Sequence, residues 1–163
     1  MDEKDLLILQ ILEDNSRLSR DEMALMAELE PDEIERRIAA LEEGGVIRNY
    51  TAVIDWDKAV NGEVAAIIDL KVNPERDYGY DRIADRISRF RQVKSLRLVT
   101  GVYDLQLMVT GRNMQEIARF VSEYIAPMDR IRETATHIIM RTYKEYGHSF
   151  MDRETTERIP YSL

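Results

Sequence analysis

No part of this chain limits its fold more than the stretch from Pro31 to Ile54. Ile34, Ile38 and Leu41 recur at spacings of four and three, the period of a helix that buries one stripe and exposes the rest. Pro31 suits the first turn of that helix, where a missing amide leaves nothing unsatisfied, and Gly44-Gly45 suits its end. Arg36, Arg37 and the neighbouring carboxylates are therefore expected to face outward. Directly behind the glycines, the β-branched content of Val46–Ile54 predicts a strand. Two shorter helices precede this pair. Leu6, Ile8, Leu9, Ile11 and Leu12 predict the first, ending near Asp14-Asn15-Ser16, whose short polar side chains compete for backbone hydrogen bonds. Ser19 with Glu22 is a capping box that starts the second at about Arg20, with Met23, Ala24 and Ala27 inward. Three short helices with a strand behind the third read as a winged helix-turn-helix.

Charge is distributed unevenly along the chain. Residues 1–50 hold 6 Lys and Arg against 14 Asp and Glu, so the net charge of −8 lies wholly there, while residues 51–163 hold 17 of each sign. With 163 residues, 44% hydrophobic and 33% charged, the chain suits one ordinary globular domain or two small ones. It has no run of about 18 apolar residues to span a bilayer, and Met1-Asp2-Glu3-Lys4-Asp5 is acidic where a secretory signal is basic, so a cytoplasmic location is expected. The absence of cysteine excludes disulfides, thiolate zinc sites and cysteine nucleophiles. His137 and His148 are the only imidazoles. These residues predict no catalytic constellation, no metal site and no cofactor.

Asp55-Trp56-Asp57-Lys58-Ala59-Val60-Asn61-Gly62 reads as a connector. The resulting division is a helical domain at 1–55, a linker at 56–62, a second domain at 63–146 and a tail at 147–163. Val64–Val72 is strand-like and ends at Asn73-Pro74, and Tyr80–Phe90 has helical spacing through Ile83, Ile87 and Phe90. Val93–Thr100 and Tyr103–Thr110 predict strands around Gly101-Val102, read as a two-residue hairpin turn. Ile117, Phe120, Val121 and Tyr124 mark a helix stopped near Pro127, and Ile131–Tyr143 a last strand. That order is the split βαβ of ferredoxin-like domains, giving an α+β chain overall. Two helices cover one face of such a sheet and leave the other bare. A domain of about 80 residues buries too little surface to leave an apolar face open, so at least a dimer is expected. Trp56 is expected to pack the two domains together, His137 to sit in an interface, and the tail from Tyr146 to form a short helix.

Taken in order, Arg36-Arg37-Ile38, Leu41-Glu42, Gly45-Val46-Ile47, Tyr50-Thr51-Ala52 and Gly101-Val102-Tyr103-Asp104 resemble the Lrp/AsnC, or feast/famine, family of transcriptional regulators. The resemblance runs over nearly the whole chain to about residue 147. It implies a winged helix-turn-helix that binds double-stranded promoter DNA, followed by a ferredoxin-like, RAM-type domain that dimerises, often assembles into tetramers or octamers, and responds to an amino acid or similar metabolite. Family effectors sit between subunits near the G-x-Y-D hairpin and the last strand. Carried onto this chain, the effector candidates are Thr100, Gly101, Tyr103 and Asp104 of the hairpin with Thr134 and Thr136 of the strand. Their chemistry agrees: Gly101 lets backbone amides approach a carboxylate, Asp104 accepts from an ammonium, and the threonine hydroxyls donate or accept.

Several positions depart from the family. Glu30, Asp32 and Glu33 stand where small polar residues are common, Glu35 where an aliphatic or basic residue is, and Glu28 where the family has glycine in the turn. Carboxylates at a helix start complement its dipole, but they weaken attraction to a duplex carrying a charge every ~1.7 Å. The DNA-binding candidates that remain are Arg17, Arg20, Arg36, Arg37 and Arg48, with Arg36 placed for bidentate contact to guanine and Arg37 spaced to pair with Glu33 or Glu30. The acidic surface equally suits a metabolite-sensing oligomer whose head contacts another protein. Siroheme decarboxylase subunits share the architecture, but two scattered histidines without cysteine do not assemble that chemistry.

Overall fold

A computed structural model describes residues 1–59 and 62–151. The described residues divide into two compact units, one of Met1–Ile54 with Lys144–Ser149 and the other of Asp55–Tyr143 with Phe150 and Met151.

Three helices make the first unit: α1 (Glu3–Asp14), α2 (Arg20–Ala27) and α3 (Pro31–Glu43). Each of the first two opens with a capping box. The Asp2 carboxylate accepts the Asp5 N–H at 2.9 Å while Asp5 accepts from Asp2 N–H at 2.8 Å, and Ser19 and Glu22 exchange the same bonds at the start of α2. Ile8, Ile11, Met23, Ala24, Ala27, Ile34 and Leu41 form the shared core. At the end of α3 the Val46 N–H bonds to Leu41 O and the Gly45 N–H to Glu42 O, both at 2.9 Å, with Gly45 left-handed at φ 67°. This closure turns Ile47 back onto the core.

The turn between α2 and α3 is left-handed at a residue ill suited to it. Glu28 has φ 52° and ψ 53°, which lets the Leu29 N–H reach Ala24 O at 3.0 Å and returns Leu29 to the core. A side chain in that conformation costs about 1–2 kcal/mol. Glu28→Gly is therefore expected to stabilise this unit by about 1 kcal/mol after allowance for glycine's freer unfolded state, read as a higher midpoint in thermal unfolding.

The strand expected over Val46–Ile54 is not formed. The segment has no regular secondary structure, and Val46, Tyr50, Val53 and Ile54 are exposed. β-propensity reflects packing on a neighbouring strand, and among the described residues no strand pairs with this one.

The second unit runs β1 (Val64–Val72), α4 (Asp81–Ser88), β2 (Val93–Leu98), β3 (Leu105–Gly111), α5 (Met114–Phe120) and β4 (Ile131–Ile138), with a π-helical turn at Val121–Ile125 after α5. The sheet order is β2-β3-β1-β4 and every neighbouring pair is antiparallel, the arrangement expected of a ferredoxin-like domain. Alternate residues Ala66, Ile68, Leu70 and Val72 of β1 pack with Leu105, Leu107 and Val109 of β3 against Ile83 and Ile87 of α4 and Ile117 and Phe120 of α5. The opposite parity faces away from the helices. Ile67 pairs with Met108 and His137 there, and Asp69 with Gln106 and Ala135. Gln106 Nε2 donates to Asp69 at 3.0 Å, and His137 Nε2 lies 3.5 Å from the same carboxylate.

Three further expectations are corrected. The β2–β3 connection is not a two-residue turn, because the last closing bond runs from Val99 N–H to Asp104 O at 2.9 Å and leaves Thr100–Tyr103 as a four-residue tip. Asp104 is drawn onto β1, where its N–H meets Leu70 O at 2.9 Å. The last strand stops at Ile138 rather than Tyr143, since β1 begins at Val64 and offers no partner beyond the bond from Ile139 N–H to Ala65 O. Tyr146 does not start a helix: it lies in the turn of a small hairpin, β5 (Lys144–Glu145) with β6 (His148–Ser149), and the remaining tail, 152–163, lies outside the described residues. Trp56 is half exposed and belongs to neither core. Among the described residues no helix is long and apolar enough to cross a membrane.

Candidate nucleic-acid interface and effector site

Burial of Ile34 and Leu41 leaves one open face on α3, carrying Asp32, Glu35, Arg36, Ala39 and Glu43. Arg36 is 75% exposed and its guanidinium bonds to Glu33, with Nε at 3.1 Å. Arg20, on α2, pairs with Glu35 across the two helices. Arg48 is exposed and its guanidinium lies over Gly45, where an added Cβ would meet it at 3.3 Å. Arg17 is exposed, its backbone N–H bonded to Asn15 Oδ1 at 3.0 Å. Glu28, Glu30, Asp32 and Glu33 line an open groove of about 860 Å³ beside Ala24, Leu25 and Leu29. Arg20 and Arg36 are thus each paired with a carboxylate of α3, while Arg17 and Arg48 are exposed.

Arg37 behaves differently from the other four. Expected to face outward, it is 22% exposed and reaches back to the start of α1, meeting Asp2 at 2.8 Å, Asp5 at 2.7 Å and Glu33 at 2.6 Å. A planar guanidinium serves several carboxylates at once, so this side chain ties α3 to the N-terminus of α1. The Asp5 N–H and then Arg37 hold the Asp2 carboxyl down at about 2. The Asp2 N–H and then Arg37 lower Asp5, and Arg36 and then Arg37 lower Glu33. Because folding depresses these pKa values, the stabilisation they contribute is fully present above the ordinary carboxylate range near 4 and is lost as pH falls toward 2. Arg37→Ala is expected to lower the unfolding midpoint at neutral pH and to flatten its acid dependence between about pH 4 and 2, followed by circular dichroism.

Five of the six effector candidates fall toward one end of the second unit's sheet, and Thr136 lies opposite the middle of β1. Thr100 and Gly101 are exposed at the β2–β3 tip, where Gly101 has φ 131°, a conformation that L side chains rarely adopt. Tyr103 and Asp104 are partly buried beside them. Thr134 pairs with Leu70 and Thr136 with Ile68, so both lie on the helix side of the sheet, at its β4 edge, rather than on the bare face. Leu70 also pairs with Leu105. The hairpin base and Thr134 therefore flank the same residue of β1.

Asp104 is already engaged. Its Oδ2 accepts the Val72 N–H at 2.8 Å, and Oδ1 accepts from Lys71 Nζ at 3.2 Å and Tyr80 Oη at 3.4 Å. The Val72 N–H, then Lys71 and Tyr80, hold its carboxyl below the usual range. This carboxylate fastens the hairpin to the end of β1. Sequence reasoning missed Lys71 and Tyr80, which lie 33 and 24 residues away and carry no local signal.

Residues 65–148 match the family model of the Lrp/AsnC ligand-binding domain, and residues 1–48 that of the winged helix-turn-helix DNA-binding domain. The chain belongs to the Lrp/AsnC family. It is a transcriptional regulator with a helix-turn-helix DNA-binding domain followed by a ligand-binding domain. The HTH-type transcriptional regulator YugG of Bacillus subtilis is 42% identical over 161 residues, covering 98% of this chain and 97% of that one. Among solved structures, that of PH0061 superposes with a TM-score of 0.77 at 27% identity, covering 89% of this chain and 96% of the other. The NMB0573/L-Met complex from Neisseria meningitidis shares the fold, with a TM-score of 0.69 at 24% identity over 92% and 94% of the two chains. Within this Lrp/AsnC member, Glu28 is the residue whose backbone explains the family's usual glycine: the turn is left-handed at that position.

Proposed function

We propose that this regulator binds duplex DNA as a dimer or larger assembly through Arg17, Arg20, Arg36 and Arg48 of each head, and that an amino acid or related metabolite controls it. The observation that carries the reading is α3 itself. Its apolar stripe is buried on α1 and α2, its opposite face is open, and Arg36 stands at the centre of that face. Arg36 is suited to guanine, and Arg17, Arg20 and Arg48 to phosphates. Arg37 serves the head as a clamp. The domain limits that go with this function are 1–55 for the head, 56–62 for the linker, 63–146 for the effector and oligomer domain and 147–163 for the tail.

The bare sheet face supports self-association. Ala65, Ile67, Met108 and Ala135 are partly exposed around Asp69, and a second copy buries them at least cost. The effector end is the β2–β3 tip with Thr134 and Thr136. Exposed backbone at Thr100 and Gly101 and the hydroxyl of Thr134 supply donors for a carboxylate, while Asp104 holds the tip in place. The fold neighbour solved with L-Met is consistent with a ligand of this class. The protein acts in the cytoplasm and carries out no catalysis of its own.

The test is selection of bound duplexes from genomic fragments, then mobility-shift titration of the selected sites with and without each amino acid. The account expects site-specific binding that one or a few amino acids change at least fivefold, the lower end of ordinary allosteric coupling. The carboxylates around Glu28 and Glu30 favour a second reading, in which the head contacts a basic protein surface. Failure to retain any duplex in dilute buffer promotes that reading.

A further inference from the structure

We propose that Glu35 is a specificity-determining residue of the DNA interface and selects cytosine by accepting a hydrogen bond from its N4 amino group in the major groove. This rests on the DNA-binding reading above. Asp32, Glu35, Arg36 and Ala39 share the open face of α3, and a recognition helix lays the residues of its first turns against base edges. Glu35 is 62% exposed, and its Oε2 is held by Nη1 of Arg20, itself 58% exposed on the neighbouring helix. Among the described residues its Oε1 has no partner. Of the other carboxylates at the start of α3, Glu33 is instead bonded to Arg36 and Arg37, and Asp32, on the same open face, has no guanidinium beside it among the described residues to neutralise it.

The chemistry of the groove then narrows the choice. A carboxylate only accepts hydrogen bonds. Guanine O6 and N7 and thymine O4 are acceptors and repel it, which leaves cytosine N4 and adenine N6. Adenine carries the acceptor N7 beside its amino group, so a carboxylate there gains one bond and meets one repulsion. Cytosine presents no acceptor on its own major-groove edge, and it alone satisfies Oε1 without penalty.

Arg20 explains how an acidic side chain can approach a polyanion at all. Its guanidinium has five donors, of which one serves Glu35. The helix that precedes a recognition helix crosses the phosphate backbone, so the remaining donors of Arg20 face phosphate oxygens. The chain of contacts runs from phosphate through Arg20 to Glu35 and neutralises the carboxylate while fixing its free oxygen. Arg20 is thus a positioning residue for base recognition as well as a backbone contact.

Selection from a random duplex library with the full-length protein, followed by affinities for the chosen site and its single-base variants, tests this. The wild-type protein is expected to fix one cytosine per half-site and to discriminate against thymine there about tenfold. Glutamine pairs with adenine N6 and N7, so Glu35→Gln is expected to change the preference at that one position from cytosine to adenine and leave the other positions as they were. Arg20→Ala is expected to weaken binding to every sequence and to reduce the cytosine preference as well. Tighter binding of Glu35→Gln to all duplexes with unaltered base preferences overturns the inference, because Glu35 then only repels. A selected site without a fixed cytosine overturns it while the DNA-binding reading stands. Selection of no duplex by the wild-type protein overturns both.

Discussion

Arg36→Ala in the full-length protein is expected to weaken binding to a selected operator by between about thirtyfold and about twenty-thousandfold. A bidentate arginine–guanine contact is worth about 1–3 kcal/mol, and a dimer with two heads loses it twice. The substitution leaves the fold of the head alone. Arg36 is exposed and its one carboxylate partner, Glu33, keeps its second bond to Arg37, while the buried side of α3 is carried by Ile34 and Leu41. Arg36→Lys separates charge from geometry. A lysine retains nonspecific attraction but not the planar fork, so it is expected to bind random duplexes like the wild type and to lose most of its preference for the operator. Fluorescence anisotropy on operator and scrambled duplexes measures both. An Arg36→Ala protein within twofold of wild type on the operator would remove Arg36 from base recognition.

Asp104→Ala is expected to abolish the amino-acid response and to destabilise the second unit by about 2 kcal/mol, the usual cost of removing a charged hydrogen bond. Asp104 is 16% exposed and serves the Val72 N–H, Lys71 and Tyr80 together. Its loss leaves the amide at the end of β1 unpaired and frees the tip that carries Thr100 and Gly101. Asp104→Asn keeps an acceptor for Val72 but gives up the charge that Lys71 meets, so it is expected to fall between wild type and alanine in stability. If Asp104 instead bound an effector ammonium directly, Asp104→Asn would lose the effector while keeping nearly full stability. Thermal unfolding with and without the responsive amino acid distinguishes the two roles.

The helices and the sheet order were readable because each rests on a local or periodic signal. Ser19 with Glu22, and Gly44-Gly45 after Leu41, mark helix ends through bonds to residues three to five positions away. Alternation in Val64–Val72 marks a strand buried on one face. Expectations failed where the deciding partner is distant or missing. Val46–Ile54 has strand-forming residues but no strand beside it. The β2–β3 tip is wider than its glycine suggests, since Asp104 is drawn to Leu70 and Val72 on another strand. Arg37 has helical spacing to Glu33, as foreseen, yet its stronger obligation is to Asp2 and Asp5 at the far end of the unit. Glu28 is the reverse case. The resemblance to a family with glycine in that turn flagged it, and the left-handed backbone supplies the reason.

The central claim is that a head with surplus carboxylates still holds DNA through a few exposed arginines. Its most direct measurement is the salt dependence of binding to a selected duplex between about 50 and 200 mM salt. With Arg17, Arg20 and Arg48 of two heads on phosphates, the slope of log K against log salt is expected to be steep, about −5, and to become shallower when Arg20 or Arg48 is replaced by alanine. Binding that is absent at the lowest salt, or that ignores salt throughout, contradicts the claim.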